Sequence, residues 1–481
     1  MVYFLNSNIE IPLLLLYVLV ISSLSFLLAS SFRSRLSIPI IERQSGYFPG
    51  QSLNLEVNNN QSYINGKYQI LNKDHSNNKT YTFLSNYNSG NENNIYVKNS
   101  LFKNLPFISI IIPARNEEKH IKKCLLSLLS QEYPNFEVIA VNDNSSDNTL
   151  KIMEDIKNNK YYETIGLSSE KLKIISLNGK PENWTGKTWA SQNGYIHSNG
   201  SILLFTDADT YYAKKDVLLQ TVLYMKNKNL DVLTGIPSPE KLDNFWAKIA
   251  IPLWDSISVL FGVDSADVNN PQSKIAYLIG CFFLIKKKVF IDIGTFESVH
   301  DAIQEDKALG VIVKKRGYKI KLVRLKEMIY TLWVDDLTTL WHGIGRTLAP
   351  LVMKNRIKVI LNLLIIFFAS VLPFILFPIL LSASFDKLLF FPALKISFNF
   401  NLFFMLLDLI PCGIMFILVS RKYKEYRTEP MFSLTIIFAS IFVIIACIYN
   451  IVPLIIFGNT KPILWQGRKY IYNKKQEGFT I

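Results

Sequence analysis

Charge is scarce in this 481-residue sequence: Asp, Glu, Lys and Arg make up 19% of it, against about 25% in ordinary soluble domains. Cysteine is scarcer. Cys124, Cys281, Cys412 and Cys447 stand far apart, with no pair at metal-ligand spacing, which excludes a disulfide scaffold. A phosphate-cradling G-x-x-x-x-G-K-[ST] loop is also missing, because Pro181 stands where Gly186-Lys-Thr188 needs its first glycine. Apolar surface is not lacking. With 32 Phe, 23 Tyr, 7 Trp and 49% hydrophobic residues, a disordered chain is excluded. Acidic residues are outnumbered, 38 against 52 Lys and Arg, giving a net charge of +14. That balance suits nucleic acid, an anionic membrane face or a phosphorylated substrate.

The distribution of apolar residues narrows the choice. Ile11–Phe32 carries no charge and is long enough to cross a hydrocarbon core. A cleaved signal peptide wants a basic start, but Met1–Glu10 holds only Glu10 as a charged side chain, so a retained anchor is expected. Val359–Phe385, Ile396–Ser420 (interrupted by Asp408) and Met431–Gly458 are three further runs, for an expected total of four transmembrane helices. Pro373, Pro378 and Pro453 would kink them, which bundles tolerate. Arg33, Arg35 and Arg43 put the central region in the cytoplasm, and the loop Arg421–Arg427, with four positive charges, then falls on the same side. Span parity puts the tail outside, whereas Arg468, Lys469, Lys474 and Lys475 favour the inside; either the last run is re-entrant or interfacial, or the tail is an exception. Prominent basic clusters flank spans, which argues against nucleic acid as partner.

Residues 44–104 are Asn-rich and polar, with only short strand-like pieces such as Tyr68–Leu71 and Ile95–Val97, and read as a small insertion or a linker. Asn60-Gln-Ser and Asn78-Lys-Thr fit the glycosylation pattern, but as chance matches if this region is cytoplasmic.

From about 105 to 335, strands and helices alternate. Phe107–Ile112, Phe136–Val141, Lys173–Leu177 and Ile202–Thr206 read as buried strands, with Gly280–Ile285 a later one. Helices are expected over Asn116–Leu129 and Asp147–Lys157. Short β-runs alternating with helices predict an α/β fold with a doubly wound, largely parallel sheet. Ligands of such sheets sit beyond the carboxyl ends of the strands. Pro113-Ala-Arg-Asn-Glu-Glu118 follows the first strand, where Arg115 or Asn116 could hold a ligand at a helix start or simply cap the helix. Asn142-Asp-Asn-Ser-Ser-Asp-Asn-Thr149 follows the second; Asp143 and Asp147 suit a base or ribose as well as an Asx turn. Thr206-Asp-Ala-Asp209 follows the buried ILLF strand. Two carboxylates there are costly without compensation, and hard oxygen ligands favour Mg²⁺ or Mn²⁺ bridging a diphosphate. Lys187, in Trp184-Thr-Gly-Lys-Thr-Trp189, stands at a helix start where it could meet phosphate; the two tryptophans on their own read as core. Glu305-Asp306 opens a helix, either as a dipole-favoured surface turn or as a general base at the cleft edge.

In this order, these pieces resemble the inverting family 2 glycosyltransferases with the GT-A nucleotide-sugar fold, which implies a doubly wound mixed sheet. The resemblance covers residues 105–345. WTGKTW at 184–189 and WQGRKY at 465–470, with one anchor before the domain and several spans after it, look most like the hopanoid- and carotenoid-associated subgroup. The resemblance implies that Glu117 and Asp143 contact the nucleotide base, with Pro113 and Ala114 lending backbone, and that Lys187 supports nucleotide or phosphate. It also implies Asp207 at the ribose and metal, Asp209 as metal ligand, Asp306 as catalytic base and Glu305 assisting. Asn142 stands where the family often has Asp, and Thr295 where a second Gly commonly follows Gly294. The Q-x-x-R-W signature of processive polysaccharide synthases is absent; the nearest pieces are Trp341-His-Gly-Ile-Gly-Arg346 and the WQGRKY tail.

The expected organisation is therefore an anchor over 1–36, a polar linker or insertion over 37–104, a GT-A domain over 105–345, an interfacial segment and transmembrane helices over 346–460, and a basic tail over 461–481. Trp333–Pro350, with spaced Leu, Trp, Ile and Arg, reads as an interfacial stretch or as ordinary packing, and Asp408 as a functional candidate by its mid-span position. The expected function is sugar transfer, with inversion, from a nucleotide-sugar (UDP-sugar above all) to a hydroxyl of a membrane-associated lipid acceptor, by an integral protein of the cell membrane with its catalytic domain in the cytoplasm. A polyprenyl-phosphate transferase or polysaccharide synthase is the alternative, and a non-enzymatic membrane scaffold the reading least in keeping with intact Asp209 and Asp306.

Overall fold

The computed structural model describes residues 16, 19–25, 38–41, 56–58, 61–64, 68–75, 78–83, 105–159, 169–257, 266–332, 337–377, 398–457, 462–465 and 468–471. The expected span Ile11–Phe32 falls outside them apart from 16 and the helical residues 19–25; Arg33, Arg35, Arg43, Ile95–Val97, Lys474 and Lys475 lie outside altogether. The described residues form two compact units, one within 36–240 and 266–333, the other within 1–35, 241–265 and 334–477.

The first unit is built on an eight-stranded sheet. Its strands are β1 (Ile108–Ala114), β2 (Phe136–Asp143), β3 (Leu172–Leu177), β4 (Ile202–Phe205), β5 (Thr210–Tyr212), β6 (Val232–Pro239), β7 (Phe283–Lys286) and β8 (Ile320–Thr331). The spatial order is β3-β2-β1-β4-β7-β6-β8-β5. β3, β2, β1 and β4 are parallel neighbours, whereas β7 runs antiparallel to both β4 and β6, and β5 antiparallel to β8. The sheet is thus mixed, as the GT-A resemblance implies: β6 and β8 are parallel neighbours like the strands of the first half, and β7 and β5 run against the rest. Every residue of β2 is buried, as is every residue of β1 except Pro113, because helices cover both faces of a parallel sheet.

Helices α1 (Ile121–Leu129), α2 (Thr149–Asn158), α3 (Gly186–Ile196), α4 (Val217–Asn227), α6 (Lys287–Asp292) and α7 (Glu305–Lys315) belong to this unit. Ile121, Leu125, Leu128 and Leu129 of α1 enter one core with Ile110, Ile112 and Val138. Three sequence-based boundaries shift. Pro113 does not end β1 but lies within it, paired in register with Val141; pairing to β4 has already stopped at Ile111, so the missing N–H leaves no ladder gap on that side. The helix expected from Asn116 begins at Ile121, because Asn116 takes a left-handed φ of 55° that no helix allows. Gly280–Phe282 precede β7 instead of forming it.

Residues 56–83 supply a separate antiparallel sheet of four strands in sequential order, Glu56–Asn58, Gln61–Ile64, Tyr68–His75 and Asn78–Phe83, which takes in the strand-like piece Tyr68–Leu71 and the Asn78-Lys-Thr site. Pro39 and Ile41 bracket Arg324 of β8 with two backbone hydrogen bonds, and Ile38 is fully buried beside Tyr277 and Leu322.

The second unit is helical: α5 (Phe245–Ile257), α8 (Leu337–Lys354), α9 (Arg356–Ser370), α10 (Phe398–Glu425) and α11 (Ile436–Phe457). Leu340, Ile344, Leu348 and Val352 of α8 recur every four residues and are all fully buried, so its apolar stripe is covered by protein. Trp341 of the same helix meets Phe442 and Tyr449 of α11 at 5.6 and 5.2 Å between ring centroids. At the end of α10, buried Lys422 pairs with Asp255 of α5 and with Glu425, and the Tyr423 hydroxyl donates to the Lys248 carbonyl at 2.7 Å. Among the described residues, two helices are long and apolar enough to cross a membrane, Arg356–Phe377 and Pro430–Asn450. α10, 28 residues long, covers the third expected run, with the side chains of 398–408, Asp408 among them, outside the described residues. Pro462–Trp465 and Arg468–Ile471 pair as antiparallel strands, which take in Trp465 and Arg468–Tyr470 of the tail motif; residues 466 and 467 lie outside the described residues.

Candidate active site

The carboxyl ends of β1, β2 and β4 open on one edge of the sheet, and their polar turns are braced against one another. The Arg115 guanidinium donates to the carbonyls of Asp143 and Asn144 at 2.7 and 2.8 Å. The backbone N–H groups of Asn116, Glu117 and Glu118 donate in turn to Ser145 Oγ, Thr149 Oγ1 and Asp147 Oδ2. Asn116 Oδ1 accepts from the Ser146 N–H at 2.9 Å, and Glu118 Oε2 from the Asn148 N–H at 3.1 Å. Arg115 and Asp147 are therefore engaged in holding these turns. Burial opposes charge on Asp147, but bonds from Thr149 and the Glu118 N–H outweigh it and hold its carboxyl below the usual range. Asn142 keeps its side chain inside the fold, donating to Ser176 Oγ at 3.0 Å. Asp143 ends β2 as a buried residue, across from the Pro113-Ala114 end of β1.

The second group of residues comes from three more elements. Thr206 anchors the D-A-D turn by donating to the Cys281 carbonyl at 2.8 Å. Thr185 caps α3, its side chain accepting from the Thr188 N–H, and so places Lys187 in the first turn. The Lys187 ammonium lies 2.7 Å from Asp207 Oδ1 and 3.0 Å from Glu305 Oε1. Burial works against its charge, but Asp207, Glu305 and Asp306 together hold it well above the usual lysine range. Glu305 is only 5% exposed; burial and the neighbouring Asp306 push its carboxyl up to about 7 despite Lys187. Beside it, Asp306 accepts from the N–H groups of Gly280 (Oδ2, 3.0 Å) and Lys307 (Oδ1, 2.8 Å), leaving other lone pairs free.

Asp209 is less well compensated than Asp207. Its Oδ1 meets the hydroxyls of Thr210 and Thr331 only at 3.4 Å, and burial next to Asp207 pushes its carboxyl up to about 6. Among the described residues, no group of three or more His, Cys, Asp or Glu could hold a metal ion by itself. Two adjacent carboxylates, one poorly compensated, fit a divalent cation that takes its remaining ligands from a diphosphate better than one caged by protein.

The structure thus gathers Lys187, Asp207, Glu305 and Asp306 into one cluster, with Asp209 one turn away, and brings Pro113, Ala114, Glu117 and Asp143 together at the adjoining strand ends. Sequence reasoning missed three participants. Gly280 has its N–H on Asp306; Thr331, at the far end of the domain sequence, reaches Asp209 because β8 pairs with β5; and the His300 carbonyl accepts from the Thr185 N–H and the Thr188 hydroxyl at 2.8 and 2.7 Å. None carries a motif; the glycine opening an apolar run at 280 was the one signal that could have found it. The tryptophans of the WTGKTW segment are half-buried: Trp184 packs against the core on one side of the sheet, edge-on to Trp189 at 5.2 Å and tilted against His300 at 5.6 Å.

Residues 109–294 match the family described as Glycosyl transferase family 2. The probable glycosyltransferase YdaM of Bacillus subtilis is 27% identical over 234 residues, 48% of this chain and 52% of that protein. A poly-beta-1,6-N-acetyl-D-glucosamine synthase of Staphylococcus epidermidis is 28% identical over 217 residues, 44% of this chain and 47% of its own. The chain spans about half the length of these curated relatives. Among solved structures, a mannosyltransferase from Pyrobaculum calidifontis in complex with GDP-Man and Mn2+ aligns with 73% of this chain and 88% of its own at 17% identity and a TM-score of 0.42. The matched segment contains β1, β2, β4 and the D-A-D turn between them and α6, and on that basis the chain carries a glycosyltransferase family 2 domain.

Proposed function

We propose that the protein transfers a sugar, with inversion, from a nucleotide-sugar to a hydroxyl of a membrane-associated acceptor. The observation that carries this reading is the Lys187 ammonium shared between Asp207 and Glu305, which ties the donor-side turn to the first turn of α7, where Asp306 sits. Glu117 and Asp143, with the Pro113-Ala114 backbone, receive the base; Lys187 and Asp207 face the phosphates and ribose. Asp306 takes the proton of the acceptor hydroxyl as it attacks the anomeric carbon opposite the leaving nucleotide, a task that suits a carboxylate fixed by two N–H groups with lone pairs to spare. Glu305, buried and ion-paired, assists by holding its neighbour in place. Asp209 and Asp207 would hold a Mg²⁺ or Mn²⁺ ion, which supplies positive charge against the departing diphosphate.

The membrane-associated acceptor is supported by the two apolar helices and by the basic Arg421–Arg427 segment at the end of α10. The reading keeps the GT-A domain over 105–345, the anchor over 1–36 and the spans within 346–460, with the catalytic domain on the cytoplasmic side. A growing polysaccharide is an equally supported acceptor: the poly-beta-1,6-N-acetyl-D-glucosamine synthases among the relatives speak for it, and the missing Q-x-x-R-W signature speaks for a single lipid-borne hydroxyl, as in the hopanoid- and carotenoid-associated subgroup. Incubating the purified protein with membrane lipid extract and radiolabelled UDP-sugars, then separating products by size and solvent partition, decides between them. Label in a low-mass, organic-soluble product is expected. A high-mass, water-soluble product would replace the lipid acceptor with a polymer, and no transfer from any nucleotide-sugar would reject the function.

A further inference from the structure

Gly280 stands where three elements converge. A Cβ built on it would lie 3.0 Å from Lys187 Nζ, 3.2 Å from Asp306 Oδ2 and 3.7 Å from Asp207 Oδ2. These atoms come from α3, from α7 and from the turn after β4, so one missing side chain opens the space that all three share. The backbone does not call for glycine here: among the described residues, Gly294 and Gly317 are the glycines with positive φ, and Gly280 is not one of them. Its own N–H holds Asp306 Oδ2, while the Leu278 N–H donates to the Asp306 carbonyl at 3.2 Å, so the segment before β7 grips both ends of this residue. The same segment lies hard against α7 further along, where a Cβ on Gly310 would come within 2.6 Å of the Tyr277 carbonyl carbon.

We propose that Gly280 is a positioning residue for sugar transfer: its bare Cα seats the Lys187 ammonium between the donor-side Asp207 and the acceptor-side Glu305, and its N–H aims Asp306. The role rests on the transferase reading above. An alanine at 280 keeps the N–H and meets, in Lys187 Nζ, the far end of a flexible side chain, which can swing away at little cost to the fold. The new methyl is too tight against both Lys187 Nζ and Asp306 Oδ2, so one or both must give by a few tenths of an ångström, and the seat of the ammonium or the aim of Asp306 shifts with them. The groups proposed to receive the base, at the other strand ends, are untouched, so the damage falls on the diphosphate end and the reacting geometry.

The test uses the full-length protein in detergent, with UDP and Mn²⁺ binding followed by calorimetry and transfer followed from a UDP-sugar. Gly280→Ala is expected to lower kcat about tenfold or more while the KM for the donor changes less than about threefold and the melting temperature stays at the wild-type value. Combining it with Lys187→Ala, which removes the atom the new methyl meets, is expected to cost much less than the product of the two single losses. Wild-type kcat in Gly280→Ala, or fully multiplicative losses in the combined variant, would overturn the role even if the protein is an active transferase. A wild-type protein that neither binds UDP nor turns over any nucleotide-sugar overturns the transferase reading, and this role with it. If Gly280→Ala melts early, Lys187→Ala is compared with the combined variant instead. Similar kcat in those two supports the role, and a further loss of about tenfold in the combined variant overturns it.

Discussion

The Lys187 ammonium lies 3.0 Å from Glu305 Oε1, joining the first turn of one helix to the first turn of another that follows it far along the chain. Each residue alone is an ordinary helix-start residue. Together with Asp207 they make a half-buried cation shared by two carboxylates.

Asp306→Asn keeps the shape and one of the two backbone hydrogen bonds, since a single amide oxygen remains to accept, and removes the proton acceptor. Transfer should fall by about 10²–10⁴-fold, the usual worth of a positioned base. UDP affinity, measured by calorimetry with Mn²⁺ present, should stay near the wild-type value. Normal turnover would remove Asp306 from the base role.

Asp209→Ala takes away the less compensated of the two carboxylates in the D-A-D turn. Calorimetric titration with UDP should show wild-type affinity rising on addition of Mn²⁺ and the variant indifferent to it. An Mn²⁺ effect of equal size in both proteins would mean that Asp209 is not a ligand.

Glu137, 4% exposed in β2, accepts from the Ser109 hydroxyl at 2.6 Å and the Asn199 N–H at 2.7 Å, and pairs with Lys173. Burial disfavours its charge, but the bonds from Lys173, Ser109 and Asn199 outweigh that and depress its pKa below the ordinary 4.5. Its contribution to stability is therefore present above that value and lost as pH falls through the depressed one. Glu137→Gln turns an NH₂ towards donors and should cost about 1–3 kcal/mol at pH 7. Denaturant titrations of both proteins should converge in acid; a gap that widens there would contradict the assignment.

Thr295 has φ 53° and ψ −159°, a region that β-branched residues avoid, and gains in return only a 3.3 Å bond from the Glu297 N–H. Thr295→Gly relieves strain of about 1–3 kcal/mol, set against about 0.5–1 kcal/mol of extra chain entropy and the weak cap, for a net gain of about 1 kcal/mol. Thermal melts would show it as a rise in midpoint; a fall would mean that the cap outweighs the strain.

The strand-and-helix alternation was legible because buried strands such as FEVIAV and ILLF are short apolar runs bounded by polar turns. Asp143, Asp207 and Asp209 were legible for the same reason, since each stands at or just after a strand end, whereas Glu305 and Asp306 showed only as an acidic pair opening a helix. The mixed winding came from the resemblance to the GT-A fold and not from the alternation, since the direction of β7 depends on chain that leaves the sheet and returns after α5, and no local pattern encodes that. Nor was the division of labour between neighbours legible. Asp143 and Asp147 look alike in sequence, yet Asp147 is consumed by Glu118 and Thr149. The apolar helices were legible from length and hydropathy alone, while the covering of the α8 stripe depended on which helix packs against it.

The sequence by itself determined the edge of the sheet where polar residues gather, because strand ends and turn residues are local properties of the chain. Only the tertiary structure decided which of those residues act together. Lys187, Asp207, Gly280 and Asp306 are separated by whole elements, and their contacts within 4 Å follow from strand order and close packing, which no spacing in the sequence can express.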